Sequence, residues 1–454
     1  MRHLLAGMLL VGFGAVRADD WPQWLGPQRD GVWRETGIID QLPKDGPKKL
    51  WDKPIGIGYG GPAVANGKLY VMDRELAKSA KNPDSPFTRS AVDGNERVLC
   101  LDVKTGERLW SWEYPCVYQI SYAAGPRCTP TVDGDRVYCL GAMGDLHCLD
   151  AAKGNVIWKA NFVNDFDARV PVWGFACHPL VDGDNLICVG GGPDKLVIAF
   201  DKKTGKVNWQ SQSCEGDFGY GPPVIYEFGG KRQLIVWHAR AVVGLDPATG
   251  KRIWSVPFES RSSLNVPIPR KVGEKGLFMT SFYNGSFFLN VSADSAKVVW
   301  KSQAKGEMPN QTRDLSSIMT TPICEGDYTY GVCSHGELRC IVTATGERKW
   351  FSMQATRSAS SPAKGPEPDP RTERWGHAFL VKHESKTILF NEHGDLIFAK
   401  LSEKGYEETS RAHIIDATNT MARGRKVVWM HPAFADKCVF VRNDERIVCY
   451  SLAK

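Results

Sequence analysis

The stretch Asp102-Val103-Lys104-Thr105-Gly106-Glu107-Arg108-Leu109-Trp110 decides the fold, because it returns. Asp150 to Trp158 carries Lys153-Gly154, Asp201 to Trp209 carries Thr204-Gly205, and Asp246 to Trp254 carries Thr249-Gly250. Looser copies end at Trp300 and Trp350, and a seventh, around Lys404-Gly405, has Thr409 where a Trp is due. From Trp110 to Trp350, successive Trp residues stand 45 to 51 positions apart. A period near fifty, built from several short strands, is the signature of a β-propeller. Each copy follows an apolar run such as Arg97-Val98-Leu99-Cys100-Leu101-Asp102, which reads as a third strand. The repeated phrase then turns the chain into a fourth. Asp bonds backbone amides two residues on, and Gly takes the positive φ that closes the turn. The Trp that follows is too large for one four-stranded sheet to cover. Trp51, Trp110, Trp158, Trp209, Trp254, Trp300 and Trp350 are therefore expected between blades, as structural docking residues.

Eight such units fit into residues 47–454, and the eighth is incomplete: after His431-Pro432 only three strands remain before Lys454. Pro47-Lys48-Lys49-Leu50-Trp51, an orphan strand with its own Trp, supplies the missing one. The sequence thus predicts an all-β, eight-bladed propeller with four-stranded antiparallel blades, its ring closed by an N-terminal strand. Residues 1–18 read as a signal peptide, with Arg2 and His3, an apolar run from Leu4 to Val16 and small residues at the cleavage point. No lipid-accepting Cys follows. An exported protein, periplasmic or extracellular, is expected. Residues 19–46 have no strand pattern, yet Trp21 and Trp24 need cover, so this segment is expected across one propeller face. Arg74 to Glu96 reads as an exposed loop of blade 1, and Ser358 to Arg374 as a long linker before blade 7.

The net charge of +6 over 454 residues is too weak and dispersed for nucleic acid. No apolar run is long enough for a membrane span, and a monomer is expected. Thirteen Cys in an exported chain raise the question of disulfides, but Cys100, Cys148, Cys340 and Cys449 recur at equivalent strand positions, as small core residues do. One pair stays open: if Met143-Gly144 is a two-residue turn, Cys139 and Cys148 face each other.

The repeated Asp-x-x-Thr-Gly-x-x-x-Trp resembles the tryptophan-docking motif of the pyrroloquinoline-quinone (PQQ) propeller superfamily, which includes quinoprotein alcohol dehydrogenases and the BamB-like propeller of outer-membrane assembly. The opening Trp21-Pro22-Gln23-Trp24, with Gly58-Tyr59-Gly60-Gly61 after the first docking Trp, is similar to exported PQQ-like repeat proteins of planctomycete-type bacteria. For a dehydrogenase the resemblance implies a vicinal Cys pair, a calcium site of acidic and amide side chains and a catalytic Asp. No two Cys are adjacent here, and Asp165, Asp167, Asp217 and Asp314 are scattered. Two readings stand. The first is a non-catalytic binding or scaffold propeller with no cofactor and no metal, its partner a protein, an envelope component or a small ligand. The second is a soluble PQQ- and calcium-dependent dehydrogenase acting on alcohol groups. No catalytic residue is assigned.

The blades open on Gly61-Pro62, Thr129-Pro130, His178-Pro179, Pro222-Pro223, Thr321-Pro322, His377-Ala378 and His431-Pro432. A Pro suits an innermost edge strand because it removes an unpaired donor. The residues before it are expected at the channel mouth. His178, His377 and His431, each with a Trp upstream (Trp173, Trp375 and Trp429), form the candidate ligand funnel, with Thr129, Thr321, Arg127 and Arg313 on the same loops. The alternative is that these side chains only pack loops against the ring.

Overall fold

A computed structural model describes residues 20–214, 217–358, 367, 369, 373–421 and 424–454. The signal peptide assigned to 1–18 lies outside these residues, as does most of the linker before blade 7. The fold is a ring of eight four-stranded antiparallel sheets. Blade 1 runs from Ala63–Ala65 through Lys68–Leu76 and Gly94–Asp102 to Arg108–Pro115. Blade 8 comprises Ala433–Ala435, Cys438–Arg442 and Arg446–Ser451, and its fourth strand is Lys49–Pro54, with Trp51 opposite Cys449 and Pro54 opposite Arg446.

The repeated phrase forms the same turn each time. In blade 1 the Asp102 carboxylate accepts from the amides of Lys104 (3.0 Å) and Thr105 (2.9 Å), while Gly106, at φ +69°, donates its amide to the Asp102 carbonyl. The positive φ leaves this Gly bare toward the preceding blade, and the indole of that blade lies on it. A Cβ on Gly106 would stand 2.7 Å from Trp51, one on Gly154 2.5 Å from Trp110, and one on Gly205 2.7 Å from Trp158. The indole N–H finishes the dock by donating to the neighbouring turn: Trp51 to Val103 O at 2.9 Å, Trp158 to Lys202 O at 3.1 Å, Trp300 to Thr343 O at 3.0 Å and Trp350 to Ser402 O at 2.8 Å.

Two joints depart from this pattern. Between blades 4 and 5 the receiving turn is Ser292-Ala293-Asp294-Ser295, with no Gly. There Trp254 folds back over Gly244 of its own blade and donates to Gln233 Oε1 (2.6 Å), and Gln233 reaches across to Ser292 O (2.7 Å). The docking role expected of Trp254 is therefore relayed through a glutamine. Between blades 7 and 8 the Trp is absent. Thr409 bonds Phe398 O within its own sheet, Ser410 Oγ accepts from the Leu42 amide, and Arg411 and His413 bind the buried Asp395.

The segment from Trp21 to Ile39 lies against the face where first and second strands are joined. It bonds Val64 of blade 1, Val132 of blade 2, Pro179 O and His178 O of blade 3, Arg270 of blade 5, Lys382 of blade 7 and Lys437 and Leu452 of blade 8. Trp21 and Trp33 are each 1% exposed, so apolar burial holds the segment down.

Two sequence expectations are corrected. Arg74 and Glu96 are not loop residues: the inner hairpin of blade 1 is extended to Lys68–Leu76 and Gly94–Asp102, and both side chains are buried. Glu96 takes the hydroxyls of Tyr114 and Tyr118 and the Ala142 amide, while burial raises its pKa. The loop proper spans 77–93. Cys139 and Cys148 are free thiols, because residues 141–144 all belong to the turn and the register sets Cys139 opposite His147 and Cys148 opposite Tyr138. Their side chains therefore point to opposite faces of the sheet.

Candidate functional site

A cavity of about 350 Å³ occupies the axis on the side away from the first-to-second-strand turns. Its wall has a simple origin. The residue three places before the proline that opens each blade, or before its Ala378 equivalent, lines the cavity in all eight blades: Tyr59, Arg127, Ala176, Tyr220, Val266, Met319, Trp375 and Trp429. All of these residues lie outside the strands, in the stretch that leads the chain into each first strand. Tyr122, Trp173, Phe282 and Tyr283 add further rings, and Phe87 of the 77–93 loop leans over Tyr122 and Trp375 at centroid distances of 5.5 and 6.0 Å.

The floor comes from the N-terminal segment. Trp24 stacks on His178 at 4.5 Å with 10° between planes, meets His431 edge-on at 6.3 Å and clusters with Leu25 and Ile268. Nothing in its surroundings in sequence marks Trp24 as an axial residue, and the ring reveals it.

The candidate residues divide. His178, His431, Trp173, Trp375, Trp429, Thr129 and Arg127 line the cavity. His377 does not. It lies behind Trp429 (centroids 5.6 Å), with Nδ1 3.5 Å from the Glu392 carboxylate, which also takes the Trp429 indole N–H (3.1 Å) and faces Arg425. Burial alone would raise the Glu392 pKa, but the His377 ring and Arg425 hold it below the usual range. Thr321 is buried beside Ile268, and Arg313 is exposed to solvent. Of the residues just before each opening proline, or before Ala378, four reach the cavity, namely Gly61, Thr129, His178 and His431. Of the residues that sequence reasoning missed, Tyr59, Ala176, Tyr220, Val266 and Met319 were within reach of the same repeat two places upstream, whereas Arg374 lies off that register.

The electrostatics of the wall are those of a dry pit. Burial pushes His431 down to about 4, and burial together with Arg29 and His431 holds His178 well below the ordinary imidazole range. Burial likewise raises Tyr122 to about 12. Arg127 spends its guanidinium on the carbonyls of Trp173 (2.8 Å), Tyr122 (2.6 Å), Ser121 (3.0 Å) and Gly125, tying the blade 2 and blade 3 loops together. Arg374 lies over the Trp375 ring and pairs with Glu307 at 2.7 Å. Among the described residues no carboxylate lines the cavity, and no three His, Cys, Asp or Glu side chains are grouped as metal ligands. Asp217 and Asp314 are occupied elsewhere, by Tyr220 and by Ser302 and Ser286.

The molecule is thus an eight-bladed propeller with a loop-face funnel and a Trp dock between most blades. The family model described as outer membrane protein assembly factor BamB matches residues 94–352, more than half of the sequence, and the chain belongs to this PQQ-like propeller family. A quinohemoprotein alcohol dehydrogenase of Comamonas testosteroni is 24% identical over 226 residues, covering 44% of this chain and 31% of that protein. A quinoprotein ethanol dehydrogenase of Pseudomonas aeruginosa is 30% identical over 134 residues, 27% of this chain and 21% of that protein. The chain therefore spans at most about a third of the length of these curated relatives. Among solved structures, the Comamonas testosteroni enzyme superposes with TM-score 0.58 at 14% identity, covering 96% of this chain and 80% of that one. A europium-containing methanol dehydrogenase gives 0.54 at 12% identity, with 93% and 89% covered. These likenesses show the shared fold. Among the described residues no helix is long and apolar enough to cross a membrane.

Proposed function

We propose that the chain is an exported binding propeller of the cell envelope that holds a small ligand in its central funnel without transforming it. The observation that carries this reading is the composition of the funnel wall: the position three before each blade's opening supplies Tyr, Trp, Met, Val, Ala and one Arg, and no carboxylate. Such a wall stacks and desolvates a ligand. It holds no carboxylate to serve as a base, and burial leaves its two imidazoles weakly basic, far below neutrality in pKa. Export is supported by the residue pattern of Met1 to Ala18 and by the envelope description of the family.

The names of the two curated relatives raise quinone-dependent alcohol oxidation as the competing reading. The residues present do not fit a calcium-held quinone. Calcium takes six to eight oxygens at one point, and among the described residues no carboxylate faces the funnel. The test is to incubate the purified chain with PQQ and calcium, record the absorbance of the desalted protein, and offer an alcohol with an artificial electron acceptor. No retained chromophore and no acceptor reduction are expected; alcohol-dependent reduction would overturn the binding reading.

A further inference from the structure

We propose that the funnel selects small uncharged ring compounds carrying a hydroxyl group, with the hydroxyl bonded at His178 or His431 and the ring held by the aromatic wall; this rests on the reading of the funnel as a binding site. The two imidazoles flank Trp24 on the floor, and their Nδ1 atoms are committed in opposite senses. Nδ1 of His178 accepts from the Thr129 amide at 3.0 Å, so the neutral ring carries its proton on Nε2, a donor. Nδ1 of His431 lies 2.7 Å from the Pro432 carbonyl, which only accepts, so this ring's proton is on Nδ1 and its Nε2 is a bare acceptor. Neither Nε2 has a hydrogen-bond partner among the described residues, and neither is sealed in the interior. Burial keeps both rings neutral. A hydroxyl both donates and accepts, so it can bond to either Nε2 at the bottom of this apolar pit, the donor of His178 or the acceptor of His431.

Charge narrows the class further. A cation would enter past Arg127 and Arg374 and meet no carboxylate in the wall. A carboxylate would find no fork to receive it, since Arg127 is bound to four carbonyls and Arg374 to Glu307. Burying that charge without donors costs far more than burying a hydroxyl.

The experiment is a ligand-observed NMR titration of the full chain with four probes of similar size: p-cresol, toluene, p-toluate and benzylamine. p-Cresol is expected to bind about tenfold or more tighter than the other three, the value of a satisfied polar pair in a dry site. His431→Phe should erase the preference for p-cresol over toluene while leaving toluene binding in place; the ranking in the unaltered protein tests the proposal even if that variant does not fold. Toluene matching p-cresol, or p-toluate binding tightest, overturns hydroxyl selection and leaves the funnel a binding site. If no probe binds, the binding-site reading falls together with the proposal.

Discussion

The rim and the mouth of this ring are built on the same repeat and treat it in opposite ways. At the rim one position holds Trp in seven of eight blades, and six of those indoles lie against the turn of the next blade. At the mouth one position, three before each opening proline, holds Tyr, Arg, Ala, Tyr, Val, Met, Trp and Trp. The rim residue must fill a slot of fixed shape between two sheets, so its identity is dictated by packing. The mouth residue faces a cavity that the backbone leaves open, so nothing in the ring's construction specifies it. Within one chain, sameness marks what holds the fold, and variety at an equally regular position marks what the fold is used for.

Breaking the rim should cost most where it closes the ring. Deleting residues 47–54 removes the strand paired with Arg446–Ser451 and empties the Trp51 slot. An emptied Trp site alone costs about 3–5 kcal/mol, a large share of a typical total stability. The truncated chain should lose its cooperative melt by circular dichroism, and a melt like that of the intact protein would show that the ring closes another way.

Single docks should then grade by burial. Trp158, 8% exposed and bonded to Lys202 O, should cost about 3–5 kcal/mol on replacement by Ala in urea denaturation. Trp209 is half-buried and its indole N–H has no partner, so Trp209→Ala should cost about 1–3 kcal/mol. Equal costs would mean that the rim slots are energetically alike despite their geometry.

At the mouth the same measurement should register little. Trp375 sits at φ +64°, which Asn tolerates, and its backbone amide bond to Ser334 O survives substitution. Trp375→Asn should therefore change stability by less than about 1 kcal/mol. A larger loss would make Trp375 a packing residue and blur the distinction between rim and mouth.

The smallest effect belongs to blade 7, which lacks the Trp. Hydrogen bonds to Asp395 and then Asp416 raise His413 from 6.5 to about 9. A pKa raised by folding contributes stability that is complete below about 6.5 and fades as pH rises through about 9. The ring is half exposed, so screening keeps this under about 1 kcal/mol. His413→Gln should accordingly lower the melting temperature at pH 6 and leave it unchanged at pH 10.

Much of this architecture was legible in the sequence. Asp102, Thr105, Gly106 and Trp110 announce a turn and a dock, and their recurrence announces a ring, because each residue type answers a local steric need. The strand at Trp51 was legible for the same reason. The cavity was only half legible. Reading one residue before each proline found His178 and His431 but also His377, which lies behind Trp429 against Glu392, and Thr321, which is buried beside Ile268. Phe87 and Trp24 reach the funnel through a loop and a segment with no period at all, and only the closed ring brings them there. Trp254 fits the repeat but not the dock, because the Gly it needs belongs to the next blade and is missing.

The seam of blade 8 also governs the order in which the molecule can be finished. Asp52 and Arg446, ion-paired across that seam, stand 394 positions apart in the chain. The first strand of the ring to be made is thus the last to find its neighbour. Until Arg446–Ser451 exists, Lys49–Pro54 and every intermediate arc of blades carry open edges, which are templates for pairing with other chains. Closing so long a loop is slow, and once done it leaves no terminal blade from which unravelling can start, only the short edges that every blade keeps. A chain built this way gains persistence from the same bond that makes its assembly vulnerable, and its dangerous interval lies before closure, when most of the ring exists but nothing yet holds it shut.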